Sequence, residues 1–207
     1  MTDYVISPYP RASAAVMSSK QRFPVRRIFC VGRNYGAHAR EMGFSDKEPP
    51  FFFTKPADAL AETGATIPYP PLTEDLHHEI ELVLAVGKSG ANIAAEDAIM
   101  HIWGGGVGID FTRRDLQIAH REKGRPWDWG KAFDHSAPLS PLIPLADIPK
   151  AQAEFNTGRI WLSVNGELRQ DADLSELIWS VKDIIAFCSQ SVRLQAVSYT
   201  HLTLPTS

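Results

Sequence analysis

Cysteine is scarce in this chain of 207 residues: Cys30 and Cys188 each lie inside an apolar segment. They supply neither a disulfide framework nor a CxxC site. A basic excess is missing as well. Lys and Arg number 21 against 24 Asp and Glu, for a net charge of −3 and a pI near 6.2, with no clustered basic stripe to meet nucleic acid. No apolar run is long enough to span a bilayer. The start, Met-Thr-Asp-Tyr-Val-Ile-Ser-Pro, lacks the basic and long apolar regions of a signal peptide. Internal repeats are absent too. What is left is ordinary soluble composition, 44% hydrophobic and 22% charged, in a length suited to one domain with a full core. A cytoplasmic enzyme acting on a small molecule is the expectation.

The segment Leu-His-His-Glu-Ile-Glu-Leu at 76–82 is the most telling, with Gly-Ile-Asp at 108–110 beside it. Strand side chains alternate, so Glu79 and Glu81 share one face. Val83 to Val86 continue the run with apolar residues on both faces, as in a strand buried on both sides. Two carboxylates about 7 Å apart repel by roughly 2 kcal/mol at an effective dielectric of about 20, before desolvation. Something positive must offset that, and Asp110 on a second apolar strand adds a third acid. Hard oxygen donors of this kind suit Mg²⁺, Mn²⁺ or Ca²⁺ rather than Zn²⁺. The plain alternative is a solvated strand face or a set of salt bridges.

Around that strand, residues 1–22 read as an extended N-terminal arm broken by Pro8 and Pro10, and 23–195 as one catalytic domain. Strands are expected at Val25–Val31, Pro49–Thr54 and Val107–Asp110, a short helix at Tyr35–Met42, and helical turns at Ala94–Met100. Thr112–Lys123 carries helical spacing with Thr112 as its cap and Gly124 after it. Asn165-Gly166 joins two short strands into the clearest hairpin, since Asn-Gly fits a type I′ turn. Apolar residues from Leu177 to Cys188 recur at helical spacing, which predicts a helix over 174–189. Short strands with few helices, out of regular alternation, predict an α+β fold rather than a doubly wound sheet.

His38 and Glu41, at i and i+3 of a short helix, can face one another, and a carboxylate beside an imidazole fixes its tautomer and favours its charged form. Arg33, Asn34 and Tyr35 stand at a strand-to-helix turn and fit a substrate rim, or simply a turn. Only His77 of the two neighbouring histidines shares the acidic face, and it supports a ligand at most. Asp115 is read as the partner of a neighbouring cation.

Val-Gly-Arg-Asn-Tyr-Gly-Ala-His at 31–38, Phe-Phe-Thr-Lys-Pro at 52–56, His-His-Glu-Ile-Glu-Leu at 77–82, Gly-Ile-Asp-Phe-Thr-Arg-Arg-Asp-Leu-Gln at 108–117 and Gly-Lys-Ala-Phe-Asp at 130–134 follow one another in order. Together they resemble the fumarylacetoacetate hydrolase family, in its acylpyruvate and fumarylpyruvate hydrolase branch. The resemblance implies a mixed β-roll with flanking helices, usually a homodimer, and Mg²⁺ or Mn²⁺ held by Glu79, Glu81 and Asp110. It implies that His38 with Glu41 activates water on a lid, that Lys131 acts as a catalytic point charge, and that Gln117 orients substrate with Arg114 in support. The reaction implied is hydrolysis of a C–C bond in an acylpyruvate, with fumarylpyruvate favoured. Oxaloacetate decarboxylation and isomerisation of an unsaturated 2-oxo diacid are alternatives at the same site.

The resemblance stops short at one place. Family members carry a Gly-Thr-Pro loop after the helix corresponding to 174–189, and nothing here matches it. Instead, from Val197 through Thr206 the chain is what GTC TCT TAT ACA CAT CTG ACG CTG CCG ACG encodes, a string that looks like a transposase-type sequencing adapter. Residues 196–207 are therefore read as an artefactual tail, and an inactive truncated fragment as a third alternative. Resequencing the locus from genomic DNA is expected to give different codons after about Gln195; a natural frame running through Ser207 would refute this.

Overall fold

The strand read over 76–86 is the spine of the molecule, and the computed structural model buries both of its faces. Residues 3–32, 34–35, 48–149 and 152–203 are described. In chain order they form β1 (Ser13–Ala15), β2 (Arg22–Pro24), β3 (Arg27–Gly32), β4 (Phe51–Lys55), β5 (Leu60–Glu62), β6 (Leu76–Val86) and β7 (Ile102–Arg113). Helix α1 (Arg114–Glu122) and a helical turn, α2 (Asp128–Lys131), come next. Strands β8 (Ala137–Leu139), β9 (Ile143–Pro144), β10 (Arg159–Val164) and β11 (Glu167–Asp173), helix α3 (Val181–Ser191) and β12 (Ser198–Thr203) complete the order.

The main sheet runs β4-β3-β12-β6-β7-β8-β5, with β9 also paired to β7. Its β3–β12 and β5–β8 pairs are parallel and the remainder antiparallel, so the fold is mixed α+β, as expected. Ile80, Leu82 and Leu84 on one face of β6 pack with Ile160, Leu162, Val181 and Ile184. Val83 and Ala85 on the other face pack with Ile28, Cys30, Ala137 and Leu142. Glu79 and Glu81 continue this second face, so the acids stand at the end of an apolar layer.

The hairpin β10–β11 turns at Asn165 and Gly166, with φ of 53° and 85°, as a type I′ turn requires. Other boundaries moved. β7 runs through Thr112 and Arg113, so α1 starts at Arg114 and Thr112 is no cap. Helix α3 begins at Val181 rather than 174, because Ser180 and Asp183 form a reciprocal capping box. Upstream, the Asn34 side chain brackets the Trp179 backbone, accepting from its N–H at 2.8 Å and donating to its carbonyl at 2.9 Å. Within the expected arm, β1 pairs with β2 and Ala14 joins the core. The helix expected at 35–42 falls almost wholly on residues outside the described ones.

Residues 198–203 of the tail lie between β3 and β6, parallel to the first and antiparallel to the second. The slot is a backbone demand, since both flanking strands would present unpaired edges without a strand there. The turn before it is more selective. Ser198 donates its N–H to Gln195 O at 3.1 Å, and Val197 takes φ 81°, a conformation that favours glycine and strains a β-branched residue.

Among the described residues the Asp115 carboxylate forms no direct ion pair, although its charge acts on the neighbouring Arg113. It accepts from Thr73 Oγ1 at 2.7 Å and from the N–H groups of Glu74 and Leu116 at 3.1 and 2.9 Å, pinning the loop before β6 to the start of α1. Partial burial raises its pKa, and these hydrogen bonds outweigh that and hold it below the ordinary carboxylate value. A depressed pKa contributes stability above the unfolded value of about 3.9 and loses it as pH falls through the folded value. Asp115→Asn is expected to lower stability at pH 7 by about 1 kcal/mol in urea melts. That difference should begin to narrow below about pH 4 and go on narrowing as the folded-state carboxyl protonates; one that stayed constant with falling pH would contradict the assignment.

Candidate metal and active site

Glu79 and Asp110 face each other directly across the β6–β7 ladder, and Glu81 lies opposite Gly108, which adds no side chain to crowd it. Glu79, Glu81 and Asp110 are 3%, 0% and 0% exposed. One carboxylate oxygen from each lies within 4.8 Å of the others. Three hard oxygen donors converging in a dry site fit Mg²⁺ or Mn²⁺.

The positive charge demanded by these acids is also present as side chains. Lys131 Nζ donates to Glu79 Oε2 at 2.9 Å, Asp110 Oδ2 at 2.6 Å and Thr112 Oγ1 at 2.7 Å. Lys55 Nζ stands 2.8 Å from Asp110 Oδ1 and donates to the carbonyls of Phe111, at 3.1 Å, and Lys131. Arg114 Nη2 reaches Glu79 Oε1 at 2.5 Å, and its Nη1 reaches Gln117 Oε1. Burial pushes the Asp110 carboxyl up, and the charges and hydrogen bonds of Lys131 and Lys55 overcome this and hold it below its usual range. Burial opposes the charged form of Lys131, yet Asp110 and Glu79 raise its pKa above the ordinary lysine value. Both groups are ionised at neutral pH. The Cys30 thiol, raised by burial and by Asp110 and Glu81, stays protonated and is no nucleophile.

Local structure explains each position. Lys131 ends the turn α2, which packs so closely on α1 that a Cβ at Gly130 would lie 3.0 Å from the Gln117 backbone nitrogen. Lys55 ends β4, on the face that carries Phe51 and Phe53. Phe53 covers the Lys131 ammonium at 5.1 Å from the ring centroid, and Phe133 lies 5.6 Å from that of Lys55. Beside Lys131 opens a cleft of about 460 Å³ walled by Phe51, Phe53, Thr54, Pro126 and Trp127.

The structure thus brings together Glu79, Glu81, Asp110, Lys131, Arg114 and Gln117. Tyr35, expected on a substrate rim, is elsewhere: its ring is in the core and its hydroxyl donates to the Asp173 carbonyl at 2.8 Å. His77 pairs with Asp75 at 3.0 Å, away from the triad. Arg33, His38 and Glu41 lie outside the described residues. Sequence reasoning missed Lys55; a lysine closing an apolar strand ahead of a proline was its one local signal.

Residues 27–198 match the family described as fumarylacetoacetate (FAA) hydrolase C-terminal. The chain belongs to the fumarylacetoacetate hydrolase family. It is 43% identical to a fumarylpyruvate hydrolase of Ralstonia sp. over 148 residues, 72% of this chain and 74% of the relative. It is 38% identical to the human mitochondrial oxaloacetate tautomerase FAHD1 over 170 residues, 82% of this chain and 75% of the relative. A crystal structure of fumarylpyruvate hydrolase from Pseudomonas aeruginosa, in complex with Mn²⁺ and pyruvate, superposes with a TM-score of 0.91 at 47% identity, covering 97% of this chain and 87% of that one.

Removing the Lys55 charge leaves the buried Asp110 carboxylate with Lys131 as its one remaining cation, so Lys55→Met is expected to destabilise the protein by about 1–3 kcal/mol in urea melts. Arg159→Met, at an exposed pair with Asp171, should barely move the midpoint. Equal effects would contradict the assignment of Lys55 as a buried counter-ion.

Proposed function

We propose that this protein is a divalent-metal-dependent hydrolase that cleaves a C–C bond of an acylpyruvate, with fumarylpyruvate giving fumarate and pyruvate. The observation that carries this is the buried triad Glu79, Glu81 and Asp110, linked through Lys131 to an open aromatic cleft that Lys131 lines. The similarity to a fumarylpyruvate hydrolase crystallised with Mn²⁺ and pyruvate supports it.

The three carboxylates would hold Mg²⁺ or Mn²⁺, which as a Lewis acid favours the enolate character of a 2-oxo acid's departing carbon. Lys131 would offset, as an ammonium, the negative charge that develops beside it. Arg114 fixes Glu79 and Gln117 together, so a displaced arginine disturbs both a ligand and an orienting amide. We assign His38, with Glu41 as its partner, as the base that would take a proton from a water molecule whose oxygen attacks the carbonyl distal to the carboxylate. The C–C bond then breaks, the attacked carbon becomes the carboxylic acid product, and the bonding pair leaves on the pyruvate carbon, which takes back the proton held by His38. Phe51, Phe53 and Trp127 offer flat apolar walls to a planar conjugated acyl group.

Formal charge supports the substrate class. Three carboxylates are matched by Lys55, Lys131 and Arg114, so a dication adds two positive charges to a neutral, dry site. The departing pyruvate enolate carries two negative charges and restores the balance at the metal, with the fumaryl carboxylate outside this count. We further assign the protein to the cytoplasm as a homodimer, with no nucleic-acid or membrane partner; among the described residues no helix is long and apolar enough to cross a membrane. A second reading, favoured by the similarity to the human tautomerase, uses the same enolate for oxaloacetate tautomerisation without attack by water.

A product assay separates the two readings. Fumarate and pyruvate released in equal amounts from fumarylpyruvate support hydrolysis; keto–enol exchange of oxaloacetate without release of products supports the tautomerase. Glu79→Ala and Glu81→Ala are expected to abolish turnover and weaken Mg²⁺ binding, whereas His38→Ala spares metal affinity. Equal loss of binding in all three would contradict these roles.

A further inference from the structure

The two buried lysines differ in what holds them. Two of the three acceptors of Lys55 are backbone carbonyls, those of Phe111 and Lys131, which no change at the acids alters. Two of the three acceptors of Lys131 are carboxylate oxygens of the triad itself, Glu79 Oε2 and Asp110 Oδ2. An ammonium bridging those oxygens takes up coordination directions a metal ion needs.

We propose that Lys131 is the exchangeable counter-ion of the acidic triad, expelled toward the aromatic cleft when a divalent cation binds, while Lys55 stays as the fixed counter-ion that positions Asp110. This rests on the metal reading above. The exchange explains why both lysines are needed. Lys55 and Arg114 alone leave the empty triad one positive charge short, and an ammonium fixed across Glu79 Oε2 and Asp110 Oδ2 leaves no room for metal. The Lys131 backbone is anchored during the exchange, because its carbonyl is held by Lys55 and its turn is packed on α1. Its side chain has somewhere to go. Phe53 already lies 5.1 Å from Nζ and walls the cleft, so the ring face holds the ammonium once the carboxylates are taken. Metal uptake thereby moves Lys131 from the acids to the position where substrate meets it, which makes Lys55 the positioning residue and Lys131 the catalytic one.

The test is ¹H–¹⁵N correlation of lysine ammonium groups in the full chain, assigned through the side-chain carbons, during titration with Mg²⁺ alone. Without Mg²⁺, both Lys55 and Lys131 should give slowly exchanging signals, as buried ammonium groups with three acceptors do. Saturating Mg²⁺ should move the Lys131 signal or broaden it by solvent exchange, leaving that of Lys55 in place. In parallel calorimetry, Lys131→Met should bind Mg²⁺ at least tenfold more tightly than the wild type, since no ammonium has to leave. Mg²⁺ binding heat with both signals unmoved, or with both displaced, overturns the exchange and leaves the metal site standing. Absence of any heat or shift overturns the metal reading and the exchange together.

Discussion

Three carboxylates sharing one dry pocket is the constraint that the rest of this molecule answers. Unpaired, each buried acid would cost several kcal/mol or give up its charge. The chain meets Glu79 and Asp110 with cations from three separate places: the end of β4, the turn α2 and the first residue of α1. None of those cations is near the acids in sequence except Arg114, which follows Asp110 within one strand and helix. The sheet order does this work. β6 and β7 put the acids opposite each other, and the roll brings β4 and α2 against the same face.

That arrangement also explains why so much aromatic surface surrounds a charged centre. Phe53 and Phe133 lie against Lys131 and Lys55, and Arg113 stacks over Phe133 at 4.3 Å. Rings exclude water, which strengthens each ion pair, and their faces still attract cations. A site walled by aliphatic residues would be equally dry but would give a displaced ammonium nothing to rest on.

Local sequence revealed the features whose physics is local. The period-two placement of Glu79 and Glu81 within an apolar run needs only strand geometry, and Asn165-Gly166 needs only its turn. Lys55 stayed hidden because its partners, Asp110 and two carbonyls, are contributed by β7 and α2. Nothing in Phe-Thr-Lys-Pro distinguishes such a lysine from a solvated strand end. Tyr35 misled for a related reason: an amphipathic residue at a turn fits a rim, whereas the Asp173 carbonyl that takes its hydroxyl arrives from β11. The start of α3 was misplaced because apolar spacing runs on past a cap. Ser180 and Asp183 decide the boundary, and the Asn34 bracket on Trp179 keeps the preceding residues out of the helix.

The strand at 198–203 separates two kinds of information in a sequence. A gap between two paired strands attracts any extended segment, because its hydrogen bonds are made by backbone groups common to all residues. Pairing there accordingly says little about which side chains belong. A turn with positive φ is different: it discriminates among residues, and a glycine at its third position removes the Cβ clash. Val197 occupies that position at φ 81°, between a well-formed helix and a well-paired strand. The local and global preferences of this chain agree along β6, β7 and the β10–β11 hairpin. Between Gln195 and Ser198 they part, at the point where the codon reading of the tail begins.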